Sequence, residues 1–149
     1  FVQISKEIVR EANNNLGFSH PHLPKLNYIS FCQFIEPTKI NNLNKKEGLN
    51  TVCIRPGKLD RSPCGTGTSA RLALMYAKNE IKLNEKFISR SIIGSTFESY
   101  IIEEYIEGNK QMIIPSIKGS AFITGEQKIY ISKDDPFPEG YKLNDTWPD

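Results

Sequence analysis

Val2, Ile4, Ile8, Val9 and Ala12 trace one side of a helix over residues 1–14, with Lys6, Glu7, Arg10 and Glu11 on the other. Asn13-Asn14-Asn15 and Gly17 end it. His20-Pro21-His22-Leu23-Pro24 must be loop, because each proline removes a backbone donor and restricts its predecessor. Period-two alternation then predicts a strand over 28–34, with Ile29 and Phe31 on one face and Ser30, Cys32 and Phe34 on the other. Residues 41–50 are polar and asparagine-rich, which predicts a surface loop or hairpin extension. A strand over 51–55 follows and stops at Pro56-Gly57.

Beyond position 64 the pattern changes to a helix. Ala70, Leu72, Ala73, Leu74, Met75, Tyr76 and Ala77 are mostly good helix formers, and Leu72, Met75 and Tyr76 fall at the spacing of one buried face. Turns at Lys78-Asn79-Glu80 and Asn84-Glu85 lead into strands over 87–93 and 97–106. Glu107-Gly108-Asn109-Lys110 is a hairpin turn, and the returning strand over 112–117 contains Pro115, which demands a sheet edge or a bulge. Residues 121–124 and 128–132, separated by Gly125-Glu126, predict a last hairpin. The tail is rich in turns, with Trp147 as its anchor and Asp134-Asp135 as solvated charges rather than a metal site. Many strands around one strong helix predict an α+β fold, a curved antiparallel sheet wrapped around a central helix. The expected organisation is a single lobe over 1–149, with 133–149 as an extended tail.

Composition narrows the function. The 149 residues are 38% hydrophobic, enough for a real core. Nineteen basic residues against 17 acidic give a net charge of +2, with no basic block longer than Lys45-Lys46, so nucleic acid has no electrostatic footprint to hold. No apolar run approaches the ~20 residues needed to cross a bilayer, and no signal-peptide pattern is present. Three cysteines without disulfide or metal spacing favour a reducing, cytoplasmic setting. Asn144-Asp145-Thr146 is a chance glycosylation sequon. Phe1, rather than Met, opens the chain directly in a helical pattern, as expected of a piece of a longer protein.

The chemistry concentrates in Asp60-Arg61-Ser62-Pro63-Cys64-Gly65-Thr66-Gly67-Thr68-Ser69-Ala70-Arg71, which sets a thiol, a carboxylate and a glycine-rich turn where a helix begins. A thiol there sits in the field of aligned peptide dipoles, which favours the thiolate. The N–H groups of the first helical turn lack intrahelical partners and form a cradle for a carboxylate or phosphate. Asp60 stands where it could pair with a substrate ammonium. A phosphate-binding loop does not fit, since neither Gly-Lys-Ser/Thr nor the dinucleotide glycine pattern is present. The plainer alternative is a structural cysteine beside a glycine-rich cap. Cys32 and Cys53, both in predicted strands, read as small packing residues. A thiol hydrolase lacks a convincing Cys-His pair, because His20 and His22 are both loop residues.

The 60–70 stretch resembles the second catalytic motif of the proline racemase and hydroxyproline epimerase family. Ser91-Ile92-Ile93-Gly94-Ser95-Thr96-Phe97-Glu98, Ile114-Pro115-Ser116-Ile117-Lys118-Gly119-Ser120-Ala121 and Asp135-Pro136-Phe137-Pro138-Glu139-Gly140-Tyr141 resemble later blocks of that family in the same order. The resemblance implies one lobe of a diaminopimelate epimerase-like fold and cofactor-independent inversion of proline or hydroxyproline by two thiols. It implies Cys64 as one acid/base thiol, Asp60 on the ring nitrogen, Gly65 and Thr66 on the carboxylate, and His20 of His20-Pro21 reaching the pocket, with His22 inert. A related dehydratase carries threonine where Cys64 stands, so the cysteine favours epimerase or racemase. The family's first catalytic motif, of Cys-Gly-His-Gly type, is absent, which implies a missing N-terminal half as partner and an inactive isolated lobe. A homodimer stays open. The alternative from another class is a truncated or degenerate non-catalytic lobe that binds a small carboxylate or pairs with another chain.

Overall fold

The computed structural model describes residues 1–141 and forms two compact units, residues 1–119 and the segment that follows. Trp147, the Asn144 sequon and the end of the predicted tail lie outside the described residues. In the first unit the order is α1 (Val2–Asn15), β1 (Cys32–Ile35), β2 (Lys39–Ile40), β3 (Lys46–Ile54), β4 (Lys58–Leu59), α2 (Gly65–Ala77), β5 (Phe87–Ser91), β6 (Thr96–Glu107) and β7 (Lys110–Lys118). One sheet holds every strand in the order β1-β3-β5-β6-β7, with β2 and β4 also paired to β3. The class is α+β, as the sequence predicts. The sheet itself is mixed: β3 and β5 run parallel, because the chain crosses between them through α2, while the other pairs are antiparallel.

α2 lies across one face of this sheet. A Cβ added at Gly67 would stand 2.9 Å from Val52, and one at Gly48 would stand 2.2 Å from the Arg71 guanidinium, so the helix and β3 touch where neither has a side chain to spare. Leu72 and Met75 are buried with Ile81, Phe87 and Ile101, and Tyr76 and Ile113 pack against them. α1 takes the opposite face: Phe34, one residue from the inward Gln33, meets Phe1 with ring centroids 4.9 Å apart.

Two strand expectations shift for physical reasons. Strand β1 starts at Cys32 rather than 28, because the Ile29 peptide is taken by a side chain: Asn13 Oδ1 accepts from its N–H (2.7 Å) and Asn13 Nδ2 donates to its carbonyl (2.8 Å). Residues 41–50 are not a loop throughout. A turn at 41–45, in which Asn41 Oδ1 accepts from the Leu43 and Lys45 N–H groups, leads straight into the long central strand β3. Polarity misleads there, since β3 has neighbours on both sides and its buried Asn50 donates to Ser89 Oγ at 2.6 Å.

The hairpin at 107–110 forms as expected, with Glu107 opposite Lys110 and Gly108 at φ 59°. Pro115 lies on the edge strand β7 beside a bulge that falls between Ile101 and Glu103, which meets its missing donor in both ways at once. The predicted last hairpin does not form. Residues 120–131 make no backbone hydrogen bond among the described residues. Further on, turns at Ser132–Asp135 and Phe137–Gly140 close on themselves, and Asp135 Oδ1 accepts from the Phe137 N–H at 2.8 Å. No helix among the described residues is long and apolar enough to cross a membrane.

Candidate active site

Between β4 and α2 the chain is held by a relay of side-chain acceptors. Asp60 Oδ1 accepts from the Ser62 N–H (2.9 Å), and Ser62 Oγ accepts from the Cys64 N–H (3.0 Å). These are local turns of the kind Asp and Ser make two residues ahead of themselves. Cys64 is the N-cap of α2, and its Sγ accepts from the Gly67 N–H at 3.4 Å, with Thr66 Oγ1 also at 3.4 Å. Its backbone lies at φ 62°, ψ 119°, a region that side chains avoid at a cost of about 1–3 kcal/mol. Strain of that size persists only where the surroundings over-determine it.

Those surroundings are a buried polar network. Pro63 is fully buried, and the Thr68 hydroxyl stands 3.3 Å from its carbonyl and 3.1 Å from Ser89 Oγ, which also receives Asn50 Nδ2. Strands β3 and β5 thereby grip the cysteine turn from beneath. Higher up α2, Arg71 is buried over the Phe87 ring (4.9 Å) and donates to the carbonyls of Leu49 (3.1 Å) and Glu36 (2.7 Å). Burial pushes its guanidinium below the usual arginine range.

The turn spends its donors selectively. Gly67 N–H goes to the sulfur and Thr68 N–H to the Cys64 carbonyl at 2.9 Å, while the N–H groups of Gly65 and Thr66 have no partner among the described residues. Gly65 and Thr66 are exposed, and a Cβ at Gly65 would meet nothing within 4 Å. Cys64 is 8% exposed. Asp60 is half-buried, and its Oδ2 has no partner among the described residues. A pair of unclaimed N–H groups can hold a carboxylate, and a free carboxylate oxygen can take an ammonium.

The structure therefore gathers Asp60, Cys64, Gly65 and Thr66 into one turn. His20 is elsewhere in the bonding pattern: its Nδ1 accepts from the N–H groups of His22 and Leu23 (both 3.2 Å), and its hydrogen bonds stay within its own loop. His22 Nε2 instead meets Glu107 at 2.6 Å, at the tip of the β6–β7 hairpin. Cys32 and Cys53 face each other across β1 and β3, both as free thiols, and burial followed by the neighbouring Cys53 pushes the Cys32 thiol up. A cleft of about 600 Å³ bounded by Pro37, Thr38, Arg71 and Leu74 includes none of the predicted site residues. Sequence reasoning missed Ser62, Thr68, Arg71 and Gly48. The Asp60-x-Ser62-x-Cys64 spacing was the signal for the first; the others depend on contacts from distant strands.

A family model described as proline racemase matches residues 1–142. The fold is similar to a hydroxyproline epimerase from Agrobacterium vitis solved with bound trans-4-hydroxy-L-proline (TM-score 0.74, 30% identity, 98% of this chain and 41% of that one). It is also similar to a probable proline racemase from Agrobacterium radiobacter K84 solved with bound carbonate (TM-score 0.72, 33% identity, 98% and 42%). The chain thus spans about two fifths of the length of either structure. On sequence and on fold together, it belongs to the proline racemase family.

Proposed function

We propose that this chain is one lobe of a cofactor-independent racemase or epimerase that inverts the α-carbon of proline or hydroxyproline in the reducing cytoplasm. Inversion requires a base on one face of the carbon and an acid on the other. Cys64 is one of the two thiols, and its counterpart comes from the part of the longer protein outside these residues. As thiolate, the base takes the α-hydrogen, and the opposite thiol returns a proton from behind, so only protonation states exchange. The substrate carboxylate sits on the Gly65 and Thr66 N–H groups, which stabilise the charge that develops beside it. Asp60 Oδ2 takes the ring ammonium, and His20 closes the pocket from its loop.

The observation that carries this reading is the pair of unclaimed N–H groups at Gly65 and Thr66, one and two residues beyond a sulfur held at the same helix end. Deuterium incorporation at the α-carbon of L-proline and trans-4-hydroxy-L-proline in heavy water tests it. Exchange is expected from the chain completed with the second lobe and not from the chain alone, with a loss of about 10³-fold or more in Cys64→Ser. Exchange by the isolated chain would overturn the two-lobe division, and none by the completed protein would overturn the activity.

A further inference from the structure

Cys32 stands directly opposite Cys53 where β1 pairs with β3, and both are free thiols. Residues opposite each other on antiparallel strands have Cα atoms about 4.5–5.5 Å apart and side chains on one face, inside the roughly 4.4–6.8 Å that a disulfide spans. That face is not the one α2 covers. Gln33 and Val52, each next in its strand to one of the cysteines, lie against Gly67 of α2. Alternation therefore turns Cys32 and Cys53 to the other side of the sheet, where Phe34 meets Phe1 at the start of α1. Cys32 is half-buried and Cys53 is 5% exposed, so an oxidant from solvent reaches Cys32 first.

We propose that Cys32 and Cys53 form a redox-modifiable pair, which hydrogen peroxide closes into a cross-strand disulfide that locks β1 to β3. One peroxide oxygen goes to the Cys32 sulfur, giving a sulfenic acid and a first water. The Cys53 sulfur then attacks the Cys32 sulfur and expels hydroxide, which leaves with the Cys53 proton as a second water. The two thiols lose two electrons and two protons, and the peroxide is reduced. Burial and then the neighbouring Cys53 push the Cys32 thiol up, which keeps it protonated at rest and confines closure to an excess of oxidant. The closed loop takes in residues 33–52, including the Glu36 and Leu49 carbonyls that hold Arg71, so the lock fastens the strands under α2 without using Cys64.

The test is a peptide map of the protein completed with its second lobe, treated with a rising excess of hydrogen peroxide, blocked with N-ethylmaleimide and digested with trypsin without reduction. Cys32, Cys53 and Cys64 fall on separate tryptic peptides, residues 26–39, 47–58 and 62–71. The first two should emerge joined, and the melting midpoint should rise by about 3 °C or more, with dithiothreitol reversing both changes. Cys32→Ser should lose the link and the shift, and Cys64→Ser should keep them. Recovery of both cysteines as maleimide adducts, Cys32 ending as sulfinic acid, a link that runs to Cys64 instead, or a link that leaves the midpoint unmoved would each overturn the proposal.

Discussion

The Gly67 N–H donates to the Cys64 sulfur at 3.4 Å, so the sulfur occupies the place that a serine or asparagine oxygen takes at many helix starts. The same residue stands at φ 62°. Glycine adopts that backbone freely and alanine does not, while neither can cap. Cys64→Gly should therefore be more stable than Cys64→Ala by about 1 kcal/mol in urea unfolding, the reverse of their order in a helix interior. Equal stability would show that the turn relaxes around alanine.

Gly48 faces Arg71 at a distance that leaves no room for a methyl group. Because the guanidinium is buried and held by two carbonyls, it cannot swing away without stranding a charge. Gly48→Ala should cost about 2–4 kcal/mol in thermal or chemical unfolding. A near-neutral change would mean that Arg71 is not fixed as the structure has it.

Asp60 has two separable duties. Asparagine keeps the Oδ1 acceptor for the Ser62 N–H, so Asp60→Asn should cost less than about 0.5 kcal/mol, whereas Asp60→Ala should cost about 1 kcal/mol. On the proposed chemistry, both variants should lower kcat/KM of the completed enzyme alike, because both remove the negative oxygen. A substitution that damages activity only in proportion to lost stability would leave Asp60 a turn residue and nothing more.

Glu98 on β6 accepts from Lys86 Nζ (2.7 Å) and Lys45 Nζ (3.0 Å), which hold its carboxyl well below the ordinary value of 4.5, at about 2. A depressed folded value means that the folded carboxylate keeps its charge where the unfolded one is already protonated. The stability it contributes is then fully present above pH 4.5 and lost as pH falls towards 2. Melting temperature should drop more steeply over that window in the wild type than in Glu98→Gln. The difference should shrink at about 0.5 M salt, since the carboxylate is partly exposed.

Local chemistry was legible without coordinates wherever it is enforced by near neighbours. The period of Leu72, Met75 and Tyr76 determined the buried face of α2, Pro115 announced its bulge, and the 60–70 motif announced the cysteine turn. Only the tertiary structure decided that Cys64 is strained, that Arg71 is an internal cation, and that Asn50, Thr68 and Ser89 bind one another beneath the site. It also decided that β3 begins inside a polar stretch and that residues 121–132 do not pair with themselves. The division has a physical cause. Helical periodicity, turn residues and caps act over a few positions and are written along the chain, whereas a polar side chain is buried or a strand is paired only when residues tens of positions away supply its partners.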